Sequence, residues 1–238
     1  MSAARPPARR AYASVAVVPG EVGLTVCLDG KPLRSPAGTV LAAPNAALAA
    51  AIAEEWRAQP AKLDIARAPL TRLLGTALDR VPRNRSAIEA ELSGYAETEL
   101  VCHWAERPAE LVRRQQAMWQ PLLAWFARSY DAPLVVTSAV IAVAQPDTSL
   151  AAIRRSLAGL DDFRMTGLSL AVGTAGSLVI GCALAAGHFD SEGAFQASEL
   201  EQSFQIEQWG EDPEATRRRA QLRVDLDLVV RWLALSAT

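Results

Sequence analysis

The stretch VAVVPGEVGLTVCLDGKPLRSPAGTVL, residues 15–41, decides how the N-terminal part of this chain folds. Short runs that alternate apolar with other residues are separated by Pro19-Gly20 and by Asp29-Gly30, and the second pair is a strong hairpin signal. The chain turns again at Pro36-Ala37-Gly38 before the run Thr39-Val40-Leu41. These patterns predict a small antiparallel β-meander. Because such a sheet has one apolar face, it needs a covering element.

The residues that follow the meander predict this covering element. Asn45 is a favourable N-cap for a helix. Apolar side chains then recur every four residues, at Leu48, Ile52 and Trp56, through an alanine-rich run that ends near Gln59-Pro60. We expect this helix to pack on the sheet, with Trp56 as its largest core anchor.

The character of the sequence changes near Pro82, where long helical patterns replace the strand patterns. In the second of these helices the predicted core stripe has heptad-like spacing and consists of Leu111, Gln115, Met118, Leu122 and Trp125. The sequence therefore predicts an α+β fold. A small N-terminal β-rich domain with its covering helix, residues 1–81, is followed by a larger, mostly α-helical domain, residues 82–238.

The segment ELEQSFQIEQWGEDPEATRRRAQLR, residues 199–223, predicts a sharp corner between two helices. Trp209-Gly210 interrupts one helical pattern, and Asp212-Pro213-Glu214 begins the next with an N-cap acid and a proline in the first turn. One interpretation is a capped helix start with a solvated acidic face. The alternative is a partner-binding surface, because a wide aromatic residue lies among amides and carboxylates. Arg217 to Arg219 are predicted to face solvent or that partner.

A second polar segment, YAETELVCHWAERP, occupies residues 95–108 between two predicted helices. It contains Glu97 and Glu99, and its Cys102-His103 pair suggests a catalytic thiol. Neighbouring residues on a helix point about 100° apart, so this pair is not expected to act as a dyad. A buried cysteine beside an amphipathic His-Trp pair is the preferred interpretation.

Two stretches are strongly apolar. Leu134–Val136 and Val140–Val143 predict two short strands or an ordered connector. The uncharged run 165–187 is long enough to span a bilayer, but it is diluted with glycine, serine and threonine and lacks aromatic belts. We therefore predict one central buried helix, in which the small residues Gly173, Ser177 and Gly181 let neighbouring helices approach, and no membrane insertion.

Composition excludes several functional classes. The chain has 238 residues and a formal net charge of −2, which gives no electrostatic case for nucleic-acid binding. Its three cysteines contain no CxxC motif, and there are only two histidines, so neither a disulfide framework nor a metal site is expected. The N-terminus MSAARPPARR is basic but lacks the apolar run of a secretory signal. It predicts a disordered start and a cytoplasmic protein in a bacterium, or a matrix protein in a mitochondrion.

Several motifs, taken together, resemble a known family. In chain order they are LDGKPLRSPAG, AEEW, PLTRLLGTALDRV, YAETELVCHWAERP, RQQAMWQPLLAW, VAQP and QIEQWGEDPEA. Over nearly its whole length the chain is similar to the assembly chaperone of F-type ATP synthase that acts on the alpha subunit of the catalytic head. The resemblance implies a β-rich N-terminal domain, a helical C-terminal domain, no cofactor and no catalysis. It also implies binding of the unassembled alpha subunit, which prevents its aggregation until it meets the beta subunit.

This role requires a mixed surface with aromatic anchors and a polar rim. The residues predicted to face the partner are Glu207, Trp209, Glu211 and Asp212 at the corner, with Glu97 and Trp104 as further candidates. The chaperone itself is expected to be a monomer without catalytic, cofactor-binding or metal-binding residues.

The sequence is also compatible with two other functions. A small hydrolase or transferase would bring Glu97, Glu99 and Glu207 together in one pocket as acid and base, with separated pKa values. A membrane-anchored assembly factor would depend on the apolar run 165–187 alone.

Overall fold

The computed structural model describes residues 9–139, 141 and 143–237, which form two units. The first unit contains the chain up to Arg83 together with Asp162–Thr166 and the residues from Trp232 onward. The second contains Asn84–Asp161 and Gly167–Arg231. Most of the basic N-terminus, for which a disordered start is predicted, lies outside the described residues, as do two residues of the apolar stretch 140–143.

The first unit is built on a four-stranded antiparallel sheet. Its strands are β1 (Val15–Gly20), β2 (Gly23–Leu28), β3 (Lys31–Pro32) and β4 (Ala42–Ala43). β2 is central and pairs with each of the other three strands. Asp29 and Gly30 both have positive φ, 46° and 78°, as a tight hairpin turn between β2 and β3 requires. The predicted α+β class is confirmed, as is the meander for β1 to β3. The sequence predicts the last strand at Thr39-Val40-Leu41, but this run forms only an isolated bridge from Val40 to Arg34, and the strand that follows it, β4, pairs with β2.

The covering helix is α1 (Ala46–Arg57), which contacts β1, β2 and β4. The Asn45 side chain caps it by accepting the Leu48 N–H at 2.9 Å, and Leu48 and Ile52 are buried, as predicted. Trp56 differs from the prediction because it is only half-buried. It lies in the last turn of α1, where its indole N–H donates to Thr71 Oγ1 at 3.0 Å. The Trp56 side chain therefore lies at the periphery of the core and is not its central residue.

The chain stays helical across the sequence change near Pro82. A 3₁₀ turn (Ile65–Arg67) precedes α2 (Pro69–Gly75), which runs through a π-helical turn (Thr76–Arg80) into α3 (Val81–Glu97). Asn84 has non-helical angles, φ −125° and ψ 20°, so α3 bends one turn after its start. The first unit ends next to this bend, at Arg83.

Helices make up most of the second unit. After the 3₁₀ turn Leu100–Cys102 come α4 (Ala109–Tyr130), α5 (Asp147–Ala158), α6 (Asp162–Ala175), α7 (Leu178–Ala185), α8 (Ser191–Ser198), α9 (Leu200–Trp209) and α10 (Pro213–Ser236). The first residues of α6 and the last of α10 belong to the first unit. Between α4 and α5 the described residues form no strand, only an isolated bridge from Thr137 to His103. Of the two predicted alternatives, the connector is therefore the one observed.

The buried stripe of α4 differs from its prediction by one residue at two positions. Leu111, Gln115 and Leu122 are buried as expected, but Trp119 and Phe126 replace the two other predicted residues. The observed spacing follows the 3.6-residue period of a straight helix, whereas the prediction used a 3.5-residue heptad. The side chains of Met118 and Trp125 consequently lie beside the core and remain partly exposed.

The prediction of one central helix over residues 165–187 is wrong. The run divides into α6 and α7 at Gly176, whose φ is 68°, and at Ser177, whose Oγ accepts the Ile180 N–H to cap α7. Most of the run is buried in the described structure. Across its described helices the structure offers none that is long and apolar enough to cross a membrane.

Candidate partner-binding surface

The corner between α9 and α10 is formed as the sequence predicts. α9 ends at Trp209, and Gly210 turns the chain with φ 84° and ψ 168°, a conformation that is nearly restricted to glycine. Asp212 Oδ1 then accepts the N–H groups of Glu214 at 2.7 Å and of Ala215 at 3.0 Å. These backbone bonds lower the pKa of Asp212. The carboxylate therefore acts as the N-cap of α10.

Trp209 presents its ring to solvent at this corner. Its relative exposure is 75%, which is unusual for so large an apolar side chain. Burying such a ring against a partner removes a large apolar area from water, which is why exposed tryptophans are typical anchors of interfaces. The sequence placed this residue in the candidate site, and the structure leaves it accessible.

Glu207 is held in place by a cation from another helix. Its Oε1 accepts from Arg114 Nη1 of α4 at 2.8 Å, while Arg114 Nε donates to Glu110 Oε1 at 3.1 Å. The Arg114 guanidinium also lies over the Phe204 ring, 5.3 Å from its centroid. The hydrogen bond from Arg114 lowers the pKa of Glu207, and both carboxylates raise the pKa of Arg114. Glu207 is thus an exposed, ionised group with a fixed position.

The start of α10 is anchored by a network that the sequence prediction missed. Arg219 Nη1 bonds to Glu199 Oε2 at 2.9 Å, and Arg218 Nη2 bonds to the same oxygen at 2.7 Å. Arg219 Nε also lies 3.4 Å from Glu211 Oε1 at the corner. Because the Arg219 side chain is only 12% exposed, the prediction that it faces solvent or a partner is wrong. The partner of Arg219 on the core side lies twenty residues away, so local pattern could not reveal it.

An apolar groove runs between α4 and the α8–α9 region. Its volume is about 340 Å³. It is lined by Arg114, Ala117, Met118, Gln196, Leu200 and Ser203. Arg114 belongs both to this wall and to the pair with Glu207, so the groove adjoins the corner. Sequence reasoning missed the groove because it assigned Met118 to the core stripe of α4.

The two remaining candidates lie in the connection between α3 and α4. Glu97 is exposed at the end of α3. Trp104 is half-buried, its Nε1 donating to the Val101 carbonyl at 2.8 Å and its backbone N–H to the Thr137 carbonyl at 2.8 Å. Within the described part of the chain, neither side chain is bonded to the residues of the corner. Trp104 has a structural role, because its backbone hydrogen bond to Thr137 holds the connector that follows α4.

Glu99 is not available for acid-base catalysis with the other carboxylates. It is buried, and its oxygens accept the N–H groups of Leu178 at 2.9 Å and Val179 at 3.3 Å as well as the Ser177 hydroxyl. Burial raises its pKa to about 7, against the opposite effect of these hydrogen bonds. Glu99 caps α7, whereas Glu207 is paired with Arg114, so the two side chains serve separate contacts.

The Cys102 thiol and the possible metal ligands also give no evidence of a reactive site in the described residues. Cys102 is buried, and burial followed by the nearby Glu99 raises the pKa of its thiol to about 12, so the thiol stays protonated at neutral pH. This agrees with the interpretation of Cys102 as a buried cysteine. Among the residues that the structure describes, no cluster of histidine, cysteine and carboxylate side chains could hold a metal ion.

Known proteins are similar to this chain over most of its length. The profile of the ATP12 chaperone protein family matches residues 9–127. The crystal structure of Atp12 from Paracoccus denitrificans matches with a TM-score of 0.92 and 38% sequence identity, covering 97% of this chain and 99% of that chain. The crystal structure of a chaperone candidate from Agrobacterium tumefaciens gives a TM-score of 0.87 and 32% identity, covering 96% and 85%. The Schizosaccharomyces pombe protein atp12, mitochondrial, is 25% identical over 203 residues, which is 80% of this chain and 69% of that protein.

Proposed function

This chain belongs to the ATP12 chaperone protein family, and on that premise we propose that it is an assembly chaperone for the catalytic head of F-type ATP synthase. It binds the unassembled alpha subunit and keeps that subunit from aggregating until it pairs with beta. The observation that carries the proposal is the extent of the similarity: 38% identity to Atp12 extends over 97% of the chain. The protein acts where the head is assembled, in the bacterial cytoplasm or the mitochondrial matrix.

The physical basis is masking of apolar surface. A subunit that has not met its neighbours exposes the apolar face of its future interface, and such faces aggregate. Trp209, which is 75% exposed, and the apolar wall of the groove, formed by Ala117, Met118 and Leu200, offer a complementary surface. Binding at equilibrium is sufficient for this task, so the proposal requires no nucleotide hydrolysis.

The polar rim of this surface supplies orientation. Glu207 and Glu211 are both exposed at the corner and are fixed by Arg114 and Arg219, respectively. Carboxylates that are already ordered lose little rotamer freedom when a cationic or N–H group of the partner approaches. We infer that they set the register of the bound subunit while Trp209 supplies much of the affinity.

The test is co-purification with separately expressed alpha and beta subunits. We expect wild type to retain alpha and not beta. Trp209→Ala should weaken retention of alpha at least tenfold, the loss expected when a central aromatic anchor of about 2 kcal/mol is removed. The matched control is Val224→Ala, which shortens another exposed apolar side chain, on α10, and should bind as wild type does.

Glu207→Gln is compared with Glu54→Gln in the same assay. Both glutamates are exposed and form an ion pair with an arginine, but Glu54 pairs with Arg57 in the first unit. Only Glu207→Gln should weaken binding. Retention of neither subunit, or equal retention of both, contradicts the proposed function. If alpha is retained but Trp209→Ala and Glu207→Gln match their controls, the chaperone function stands and the corner is not its surface.

A further inference from the structure

The outer edge of the N-terminal sheet, formed by β1, has little of the usual protection against strand pairing in the described residues. β1 has the sequence VAVVPG, pairs only with β2 in the described sheet and carries no charged side chain. Val17 and Val18 are exposed, at 36% and 37%. Edge strands usually carry charges, bulges or a cover because their free N–H and C=O groups bind other strands. Among the described residues, Pro19 and the Arg57 guanidinium, which donates to the Val15 carbonyl, are what limits such pairing.

The register shows which backbone groups of β1 are free. The Asp29 N–H donates to the Ser14 carbonyl at 3.1 Å, so this residue pair is hydrogen-bonded. In an antiparallel ladder such pairs alternate, which turns the backbone groups of Val15, Val17 and Pro19 away from β2. One contact confirms this orientation from the outside, since Arg57 Nη2 donates to the Val15 carbonyl at 3.2 Å. A proline is tolerated at an outward position because its missing N–H costs no ladder bond.

This edge has a specific donor and acceptor pattern. Val15 offers an N–H, while its carbonyl is already bound by Arg57. Val17 offers both groups, and Pro19 offers only a carbonyl. In the best complementary strand, the residue opposite Val15 has no N–H, because the Val15 carbonyl is already bound. The residue opposite Pro19 has a carbonyl that is already bound, because Pro19 has no N–H to donate to it.

A second copy of β1 has this pattern. We propose that this chain self-associates through β1, with two copies antiparallel about a two-fold axis at Val17. Pro19 of the second copy then lies opposite Val15 of the first. Val15 of the second copy, whose carbonyl is bound by Arg57, lies opposite Pro19 of the first. Four hydrogen bonds form between the copies, two at Val17 and one from each Val15 N–H to a Pro19 carbonyl. No outward backbone group of these three residues is left without a partner.

The side chains agree with this pairing. Val17 faces its own copy at the axis, and Ala16 faces Val18, so no charged side chains of β1 face each other. The contact is much smaller than a standard interface, so we expect a dissociation constant on the order of 100 µM or weaker. β1 belongs to the first unit and the candidate partner surface to the second, so this inference goes beyond the proposed function. It also departs from the monomer expected from the sequence.

Sedimentation of the full chain from a few micromolar to about 1 mM tests the association. The dimer fraction should rise with concentration in wild type. Val17→Lys should keep the chain monomeric throughout, because two lysines would face each other at the axis. Val22→Lys is the matched control: Val22 is 84% exposed but lies in the turn after β1, and this variant should dimerise as wild type does.

Oxidative cross-linking tests the register and does not depend on the folding of the lysine variant. In the proposed register, paired residues at the axis have Cα atoms about 5.5 Å apart, within the range of a disulfide. Val17→Cys should therefore form a covalent dimer, whereas Val18→Cys should not, because it faces Ala16. The native Cys27, Cys102 and Cys182 are buried, so the background should be low.

Three results would overturn the proposal. Wild type that stays monomeric at about 1 mM, with no cross-linking of Val17→Cys, excludes pairing of two copies. Equal cross-linking of Val17→Cys and Val18→Cys excludes this register. If wild type is monomeric and Val17→Lys loses binding to the alpha subunit, the edge pairs with a strand of the alpha subunit and not with a second copy.

Discussion

Two buried glutamates, one in each unit, perform the same task. Glu55 accepts the N–H groups of Leu70 at 2.7 Å and of Thr71 at 2.9 Å at the start of α2. Glu99 does the same for Leu178 and Val179 at the start of α7. The first N–H groups of a helix have no partner within it and carry the positive end of its dipole. A carboxylate from another element satisfies both requirements, so each glutamate joins two elements that are separate in sequence.

The stability of the chain should depend on the protonation of Glu99. Because burial raises its folded pKa from 4.5 to about 7, the native state binds this proton more tightly than the unfolded state. Its contribution is complete below pH 4.5 and is lost as the pH rises towards 7, a decrease of about 3 kcal/mol at most. Urea unfolding at pH 5 and pH 8 should show this decrease in wild type and not in Glu99→Gln, which cannot titrate.

The neighbouring Glu97 provides the control for this measurement. It is exposed at the end of α3, so Glu97→Gln should keep the pH dependence of wild type. The same pH dependence in Glu99→Gln and in wild type would show that other groups cause it.

At the scale of elements, glycines in the apolar run 165–187 have opposite roles. A Cβ atom at Gly181 would lie 2.6 Å from Val172 Cγ2 and 2.9 Å from Val172 N, so α6 and α7 approach each other there. A Cβ atom at Gly173 would meet no atom within 4 Å. The sequence predicted close approach at both positions, and the structure shows it only at Gly181.

Alanine substitutions should separate these roles. Gly181→Ala should lower the free energy of unfolding by about 1–3 kcal/mol, because the backbone of Val172 must move. Gly173→Ala lies on an open face of α6 and should raise it by up to about 1 kcal/mol, the difference in helix propensity between the two residues. Urea denaturation of both variants gives the comparison. A loss of stability in Gly173→Ala equal to that in Gly181→Ala would contradict the close-approach interpretation.

At the scale of the whole molecule, residues from Trp232 onward belong to the same unit as the N-terminal sheet. Trp232 is fully buried, stacks on Phe163 with 6.2 Å between ring centroids and donates to the Phe163 carbonyl at 3.2 Å. The Asn45 amide, whose oxygen caps α1, donates to the carbonyls of Leu235 at 2.9 Å and Ala237 at 3.0 Å. The sheet and α1 therefore depend on residues almost two hundred positions away.

Removal of the Trp232 side chain should destabilise the N-terminal unit. Trp232→Ala is expected to cost about 3–5 kcal/mol, the usual loss for a fully buried aromatic residue. Hydrogen exchange should become faster in β2, whose residues Val26 and Cys27 are buried in that unit. Arg231→Ala changes the exposed neighbour and should leave exchange in β2 unchanged. Unaltered protection of β2 in Trp232→Ala would show that the C-terminal residues do not support the sheet.

Local chemistry in the sequence determined much of this protein. The hairpin at Asp29-Gly30, the cap at Asn45 and the corner at Trp209 to Pro213 follow from adjacent residues that favour one backbone geometry. The α+β class and the family motifs depend on such short patterns in a fixed order. The sequence could also identify Trp209 as a candidate, since an aromatic residue among carboxylates has no core to fill.

Only the tertiary structure decided which distant residues meet. Arg219 is largely shielded from solvent because it pairs with Glu199, and the buried Glu99 accepts N–H groups at the start of α7. Met118 lines a groove because a one-residue shift of the α4 stripe turns it off the core. Trp232 joins the N-terminal unit through Phe163. Each of these contacts joins residues that lie far apart along the chain, and side-chain packing, which has no signature in a local pattern, is what brings them together.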